Sequence, residues 1–165
     1  MTRWRPPAPH AAPYITAAGF RALESEARAL WERRHDVVRH LAAAAAEGDR
    51  SENAEYQYRK KELREIDRRI GYLQRRMPRL KVVSERPEDR SRVFFGAEVE
   101  LEDDDGALRR FRIVGSDEAA PAVGAISLDS PVARRLLGRA LDDEVELEGL
   151  GPMVVIAIDY PDPCA

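Results

Sequence analysis

The chain has 165 residues, 44% of them hydrophobic and 35% charged, with a net charge of −3. That suffices for one ordinary domain or two small ones, and it is more charge than a compact globule needs. Its single cysteine, Cys164, excludes an internal disulfide and a cysteine-based zinc site, and no apolar run reaches the roughly 20 residues of a membrane-spanning helix. A reducing compartment fits this cysteine usage. His35 and His40 are five residues apart and share no helix face.

The small net charge hides an asymmetry. From Arg59 to Lys81 ten bases stand against three acids, a net of +7, and from Phe94 onward six arginines face sixteen acids, a net of −10. A basic segment joined to an acidic body implies two surfaces with different partners.

At the N-terminus, "MTRWRPPAPHAAPY" has prolines where a signal peptide needs an apolar core. Residues 1–13 therefore read as an extended lead-in. Phe20, Leu23, Ala27, Leu30, Arg34, Val37, Leu41 and Ala44 then alternate in steps of three and four, which is a heptad seam. Only Arg34 breaks it, and its stem can lie along the seam with its head in water. Thr16 is an N-cap for this helix and Gly48 a C′ residue. A second run repeats the pattern through Tyr56, Arg59, Leu63, Ile66, Ile70, Leu73 and Met77, and Pro78 ends it. The connection between the runs is a few residues long, so residues 14–83 read as an antiparallel helical hairpin of roughly 45 Å.

"SERPEDRSR", residues 84–92, is polar and reads as a linker. Beyond it the period falls to two. "AEVELE", the turn "DDDG" and "ALRRFRIVG" make a hairpin, and "AISL" and "EVELEGLGPMVVIAIDY" supply further strands. "DSPVARRLLG" reads as a short helix with Ser130 at the N-cap, Pro131 at the first helical position and Gly138 past the end. Residues 93–165 are therefore a small antiparallel β domain with a short helix, and the fold class is α+β.

Two readings stand for the acids of "EGDRSENAEY" between the helices. Asp49 as N-cap with Glu52 three residues on is an acidic capping box. The same two carboxylates are also half of a Mg²⁺ site, useful only where another molecule completes the shell. The bases that follow are open to two readings as well. Lys60, Lys61, Arg64 and Arg68 form a ridge that is either a solvated helix face or a phosphate-contacting surface without base readout. Tyr56 lies on the seam and reads as core, whereas Tyr58 is free to stack on a base.

"EGDRSENAEYQYRKKELREIDRRIGYLQRRM", residues 47–77, strongly resembles bacterial transcript cleavage factors of the Gre family, GreB type. "RVFFGAEVELEDDDGALRRFRIVGSDE", 92–118, and "ISLDSPVARRLLGRALDDEV", 126–145, resemble that family's C-terminal domain in the right order. The resemblance covers roughly residues 14–160. It implies a coiled-coil hairpin that enters the secondary channel of RNA polymerase and an FKBP-like C-terminal domain docked at the channel rim. It further implies stimulation of the polymerase's own cleavage of backtracked RNA, with no nuclease activity in the isolated chain.

The resemblance also gives roles to residues. Asp49 and Glu52 match the family's tip acids, which act in trans and hold a Mg²⁺ shared with the polymerase. Lys60, Lys61, Arg64 and Arg68 match the basic patch facing the 3′ end of the extruded RNA, and Asp129, Ser130 and Pro131 match the polymerase-binding loop. A monomer in the bacterial cytoplasm, with no stably bound cofactor, follows from the same likeness. The residues "TRWRPPAPHAAP" and the short connection in "EGLGPMVV" depart from the family pattern. The rival readings are a channel-binding inhibitor, against which the intact "GDRSEN" argues, an FKBP-type prolyl isomerase, and a spacer module. The isomerase needs an aromatic-lined apolar pocket, and the spacer predicts no effect of removing both tip acids. The zinc-containing channel-binding regulators with a similar rod are excluded by the single cysteine.

Overall fold

The computed structural model describes residues 11–46 and 54–162. The chain divides into two compact units, Arg21–Arg79 and a second made of Met1–Phe20 with Leu80–Ala165.

The first unit is the helical hairpin. Helix α1 (Ala17–Ala46) and helix α2 (Ala54–Arg76) carry the two seams, and a 3₁₀ turn at Met77–Arg79 follows, where Pro78 interrupts the α-helix. Every seam position of both runs is buried or half-buried, while their neighbours are largely exposed. Val37, Ile66 and Ile70 form the centre of the packing, with Leu30 and Leu63 against them. Ion pairs fix the direction. Glu26 meets Arg69, Arg33 meets Glu62 and Arg34 meets Asp67. Earlier residues of α1 thus face later residues of α2 and the helices run antiparallel, as a short connection requires. Arg34 stays in the seam by its stem, its guanidinium 2.7 Å from Asp67 and 5.8 Å from the Trp31 ring.

The second unit is built on a five-stranded sheet in the order β5-β4-β3-β7-β6. Its strands are β3 (Glu98–Glu102), β4 (Leu108–Val114), β5 (Ala125–Ser127), β6 (Glu144–Leu147) and β7 (Gly151–Asp159), with helix α3 (Pro131–Leu136) between β5 and β6. Alternation puts Val99, Leu101, Val145, Leu147, Met153 and Val155 on one face, where they bury against Ala133 and Leu136 of α3. The other face of β3 carries Glu98, Glu100 and Glu102, opposite Arg112, Arg110 and Leu108 of β4. β6 and β7 close with Leu147 opposite Gly151, so the short connection in "EGLGPMVV" is a three-residue loop. Ser130 caps α3 by accepting the Ala133 N–H at 3.1 Å, and Pro131 stands at the first helical position.

The structure departs from the sequence reading in two places. The sheet is mixed, because β5 runs parallel to β4. Alternation reports which face a residue takes and not which way the chain runs, and residues 115–124 bring the chain back before β5 begins. Tyr14–Thr16 and Lys81–Val83, read as parts of the hairpin, form a parallel strand pair, β1 with β2. Two three-residue strands give no periodic signal, and their pairing joins segments more than sixty residues apart.

A single carboxylate joins this N-terminal strand to the sheet unit. Glu118 Oε1 accepts the backbone N–H of Thr16 at 2.9 Å and of Gly115 at 2.8 Å, and Oε2 accepts the Thr16 hydroxyl. Thr16 Oγ1 in turn accepts the Gly19 N–H at 3.0 Å, which makes Thr16 the N-cap of α1. The packing leaves no room for side chains here. A Cβ on Gly19 would run into the Glu118 carboxylate, and one on Gly115 into the Tyr14 carbonyl. Within the C-terminal segment, the Tyr160 hydroxyl donates to the Arg92 carbonyl and accepts the Phe94 N–H at 2.9 Å. Burial pushes the Tyr160 pKa above the ordinary tyrosine value.

Glu118→Ala strands two backbone N–H groups and a hydroxyl, and is expected to lower unfolding free energy by about 2–3 kcal/mol in urea titrations. Glu118→Gln, which keeps one acceptor oxygen, is expected to lose less. The raised pKa of Tyr160 gives a pH dependence. Its contribution is intact below the unfolded tyrosine value and is lost as pH rises through the higher folded value. Thermal melts should therefore show the wild type losing stability at alkaline pH more steeply than Tyr160→Phe, which starts lower by about 1 kcal/mol.

Candidate functional site

The bases of α2 separate into two sets. Arg69 is committed to Glu26 through two hydrogen bonds of 2.6 and 2.7 Å, with its side chain only 17% exposed. Arg59 sits on the seam and pairs with Glu62 at 3.2 Å and Glu55 at 3.7 Å. These two bridge or brace the hairpin.

Lys61, Arg64 and Arg68 are exposed and have no ion partner among the described residues. At 100° per residue they fall within one arc of the helix, opposite Ile66, Ile70 and Leu73, and Arg75 continues the line. Lys60 lies at the edge of that arc, half-buried, with Nζ 5.9 Å from the Tyr56 ring centroid. Of the four sequence-derived ridge residues, three thus form an unpaired basic strip, and the fourth packs over a tyrosine. Tyr56 is half-buried on the seam as read from the sequence, and Tyr58 is exposed beneath the Arg59 guanidinium. Arg75 was missed in the sequence reading, although its spacing from Arg68 is that of two helical turns.

Asp49 and Glu52, together with Gly48, lie outside the described residues. The chain position of the two acids, between Ala46 at the end of α1 and Ala54 at the start of α2, puts them in the connection of the hairpin. Among the described residues no group of three or more His, Cys, Asp or Glu side chains is arranged to hold a metal ion.

The polymerase-binding candidates prove to be structurally occupied. Asp129 Oδ2 accepts the Ala12 N–H at 2.8 Å and the Ser116 hydroxyl at 2.9 Å. The Ser127 hydroxyl contacts that of Ser116 at 2.8 Å and accepts the Asp129 N–H. The Ser130 hydroxyl is the helix cap. Of the three residues, Pro131 alone is exposed, so Asp129 and Ser130 shape the loop from within.

A cleft lined by Phe95, Tyr160, Pro161 and Pro87 is the nearest feature to a prolyl-binding pocket. Its volume is about 20 Å³, room for about one water and not for a proline ring, and Arg86, Glu85 and Arg112 also line it. No described helix is long and apolar enough to cross a membrane.

The described residues thus combine an antiparallel helical hairpin that carries an unpaired basic strip with a mixed-sheet unit rich in acids. The family described as "Transcription elongation factor, N-terminal" matches residues 13–82, and "Transcription elongation factor, GreA/GreB, C-term" matches residues 87–160. The chain belongs to the GreA/GreB family of transcription elongation factors, and its similarities are of GreB type. Transcription elongation factor GreB of Xanthomonas axonopodis pv. citri (strain 306) is 54% identical over 97% of this chain and 98% of its own. The GreB of Pseudomonas aeruginosa is 50% identical over 98% of both chains. Among solved structures, GreA factor homolog 1 of Thermus thermophilus is 25% identical, covering 88% of this chain and 97% of its own at a TM-score of 0.43.

The sorting of bases has a stability consequence. Arg69→Ala is expected to cost about 1–2 kcal/mol, since it frees a half-buried Glu26 and strips packing from the seam. Arg68→Ala is expected to stay within about 0.5 kcal/mol of wild type. Paired chemical denaturation curves followed by helical circular dichroism check both.

Proposed function

We propose that this elongation factor binds RNA polymerase, inserts the connection of its hairpin into the secondary channel, and stimulates the polymerase's own cleavage of backtracked RNA. The full-length match to GreB relatives at about half identity carries this reading. The strip of Lys61, Arg64 and Arg68, without ion pairs among the described residues, supports it, because bases not committed to acids suit phosphates of extruded RNA. Lys60 adds a charge at the strip's edge. The loop shaped by Asp129 and Ser130 presents Pro131 for docking on the polymerase. The site of action is cytoplasmic, with RNA polymerase.

Asp49 and Glu52 are the residues that would hold Mg²⁺ in such a complex. They are oxygen donors, which suits this ion, and two carboxylates leave most of an octahedral shell to polymerase, water and phosphate. When bound, the metal stabilises attacking and leaving oxygens of phosphodiester hydrolysis. The chain's own contribution is delivery: a helical pair stiffened by one seam and its cross-helix ion pairs carries the carboxylates. The bases along α2 hold RNA against that arm. On this reading the isolated chain is a cofactor of the polymerase and not itself a nuclease.

Backtracked elongation complexes with Mg²⁺ test this by release of the RNA 3′ fragment. Wild type should accelerate release, and Asp49→Ala/Glu52→Ala should still bind but lose on the order of 100-fold of the stimulation. Equal rates for the two proteins would make the acids a helix cap only and the chain an inhibitor or spacer. Lys61→Gln/Arg64→Gln/Arg68→Gln should weaken RNA crosslinking to the factor and flatten its salt dependence by about two in logarithmic slope.

A further inference from the structure

Arginines are scarce in the acidic unit and their placement is uneven. Of the six from Phe94 onward, three lie on β4 and the other three, Arg134, Arg135 and Arg139, gather with Arg92 around one cleft. On β4, Arg110 is paired with Glu98 at 3.3 Å and Glu100 at 3.5 Å, and Arg112 stands opposite Glu98 in register. Arg110 is thus paired across the strands, and among the described residues of the cleft Arg92 meets an acid only at 3.9 Å, from Asp89.

Arg92 Nη1 donates to the Gly138 carbonyl at 2.9 Å, and Arg139 Nε donates to the Arg135 carbonyl at 3.4 Å. Both side chains are thus steered by neutral backbone oxygens. Arg134 and Arg135 have no ion partner among the described residues. Two acids lie nearby, and one of them, Asp143, is part of the lining. Asp143 Oδ2 accepts the Ala140 N–H at 2.9 Å, and Asp89 accepts both the hydroxyl and the N–H of Ser91, reaching Arg92 only at 3.9 Å. Four arginines line one surface cleft with a single carboxylate, Asp143, while the other fifteen acids from Phe94 onward are absent from its lining. Four guanidinium groups against one carboxylate in the lining favour an anion there.

We propose that this cleft is a binding site for a compact phosphate-bearing anion of the size of a diphosphate. Its volume of about 390 Å³ lies in the range of small-molecule sites. Guanidinium forks match tetrahedral oxyanions in bidentate geometry. Leu137 is the only apolar side chain of the lining and no aromatic ring is present, so nothing stacks on a base and the phosphates carry the recognition. The site shares no residue with the α2 strip and needs no polymerase.

Titration calorimetry on the full chain at low salt, with inorganic pyrophosphate as the probe, tests it. Wild type should bind one equivalent, with the amide signals of Gly138 and Ala140 moving in ¹⁵N spectra. Arg134→Gln/Arg135→Gln should weaken binding about tenfold or more, whereas the charge-matched control Arg109→Gln/Arg110→Gln should stay within about threefold. Guanosine diphosphate distinguishes the source. Equal affinity assigns free diphosphate, and tighter binding assigns a nucleotide's diphosphate end. Absence of binding by wild type, equal losses in both variants, or equal binding of an aspartate-rich peptide would each overturn the proposal. Both variants replace exposed side chains, and matching thermal melts exclude unfolding as the cause of a loss.

Discussion

The sheet unit and the first turn of α1 depend on one side chain. Glu118 collects two backbone donors and a hydroxyl, from Thr16 and Gly115, at a point where Gly19 and Gly115 have given up their side chains. A buried strand edge and a helix start both leave N–H groups that must be satisfied, and a carboxylate with two oxygens satisfies several at once. Through it β1 is held beside the sheet unit, β2 finds a parallel partner, and a segment from the far N-terminus becomes part of a domain made otherwise of residues beyond 80. Asp129 does similar work nearby, binding Ala12 and Ser116.

The hairpin obeys a different constraint. Two helices in contact bury one seam each, so most of their surface faces water and is charged. The seam and its flanking ion pairs use Arg34, Arg59 and Arg69 for structure. What remains on the far side of α2 is basic without compensation. In the sheet unit, likewise, Arg110 of β4 is paired with β3 glutamates, whereas Arg134 and Arg135 of α3 have no ion partner among the described residues. Composition alone assigns all of these to surface charge. Pairing distinguishes the ones that hold the fold from the ones available to a partner.

Much of this organisation was legible in the sequence because it rests on period. A step of three and four residues survives any tertiary arrangement that keeps a helix pair, so the seams from Phe20 to Ala44 and from Tyr56 to Met77 could be read residue by residue. Alternation in "AEVELE" and its return in "ALRRFRIVG" named the β3–β4 hairpin, and the Ser-Pro pair named the start of α3. Local capping chemistry placed Thr16. The family likeness attached roles to the tip acids, the basic ridge and the docking loop.

Tertiary structure alone decided what depends on distance through space. β1 and β2 are too short to carry a period, and only their approach makes them strands. The direction of β5 follows from the path of residues 115–124 and leaves no mark on alternation. Asp129, a docking candidate by family likeness, takes its hydrogen-bond partners from residues 12 and 116, and Lys61, Arg64 and Arg68 could not be told from Arg69 until Glu26 took one of the four. The sequence by itself determined faces, caps and charge totals, because these are set by neighbours along the chain. Pairing, strand direction and the arginine cleft were decided by contacts between segments far apart in sequence, which no local pattern records.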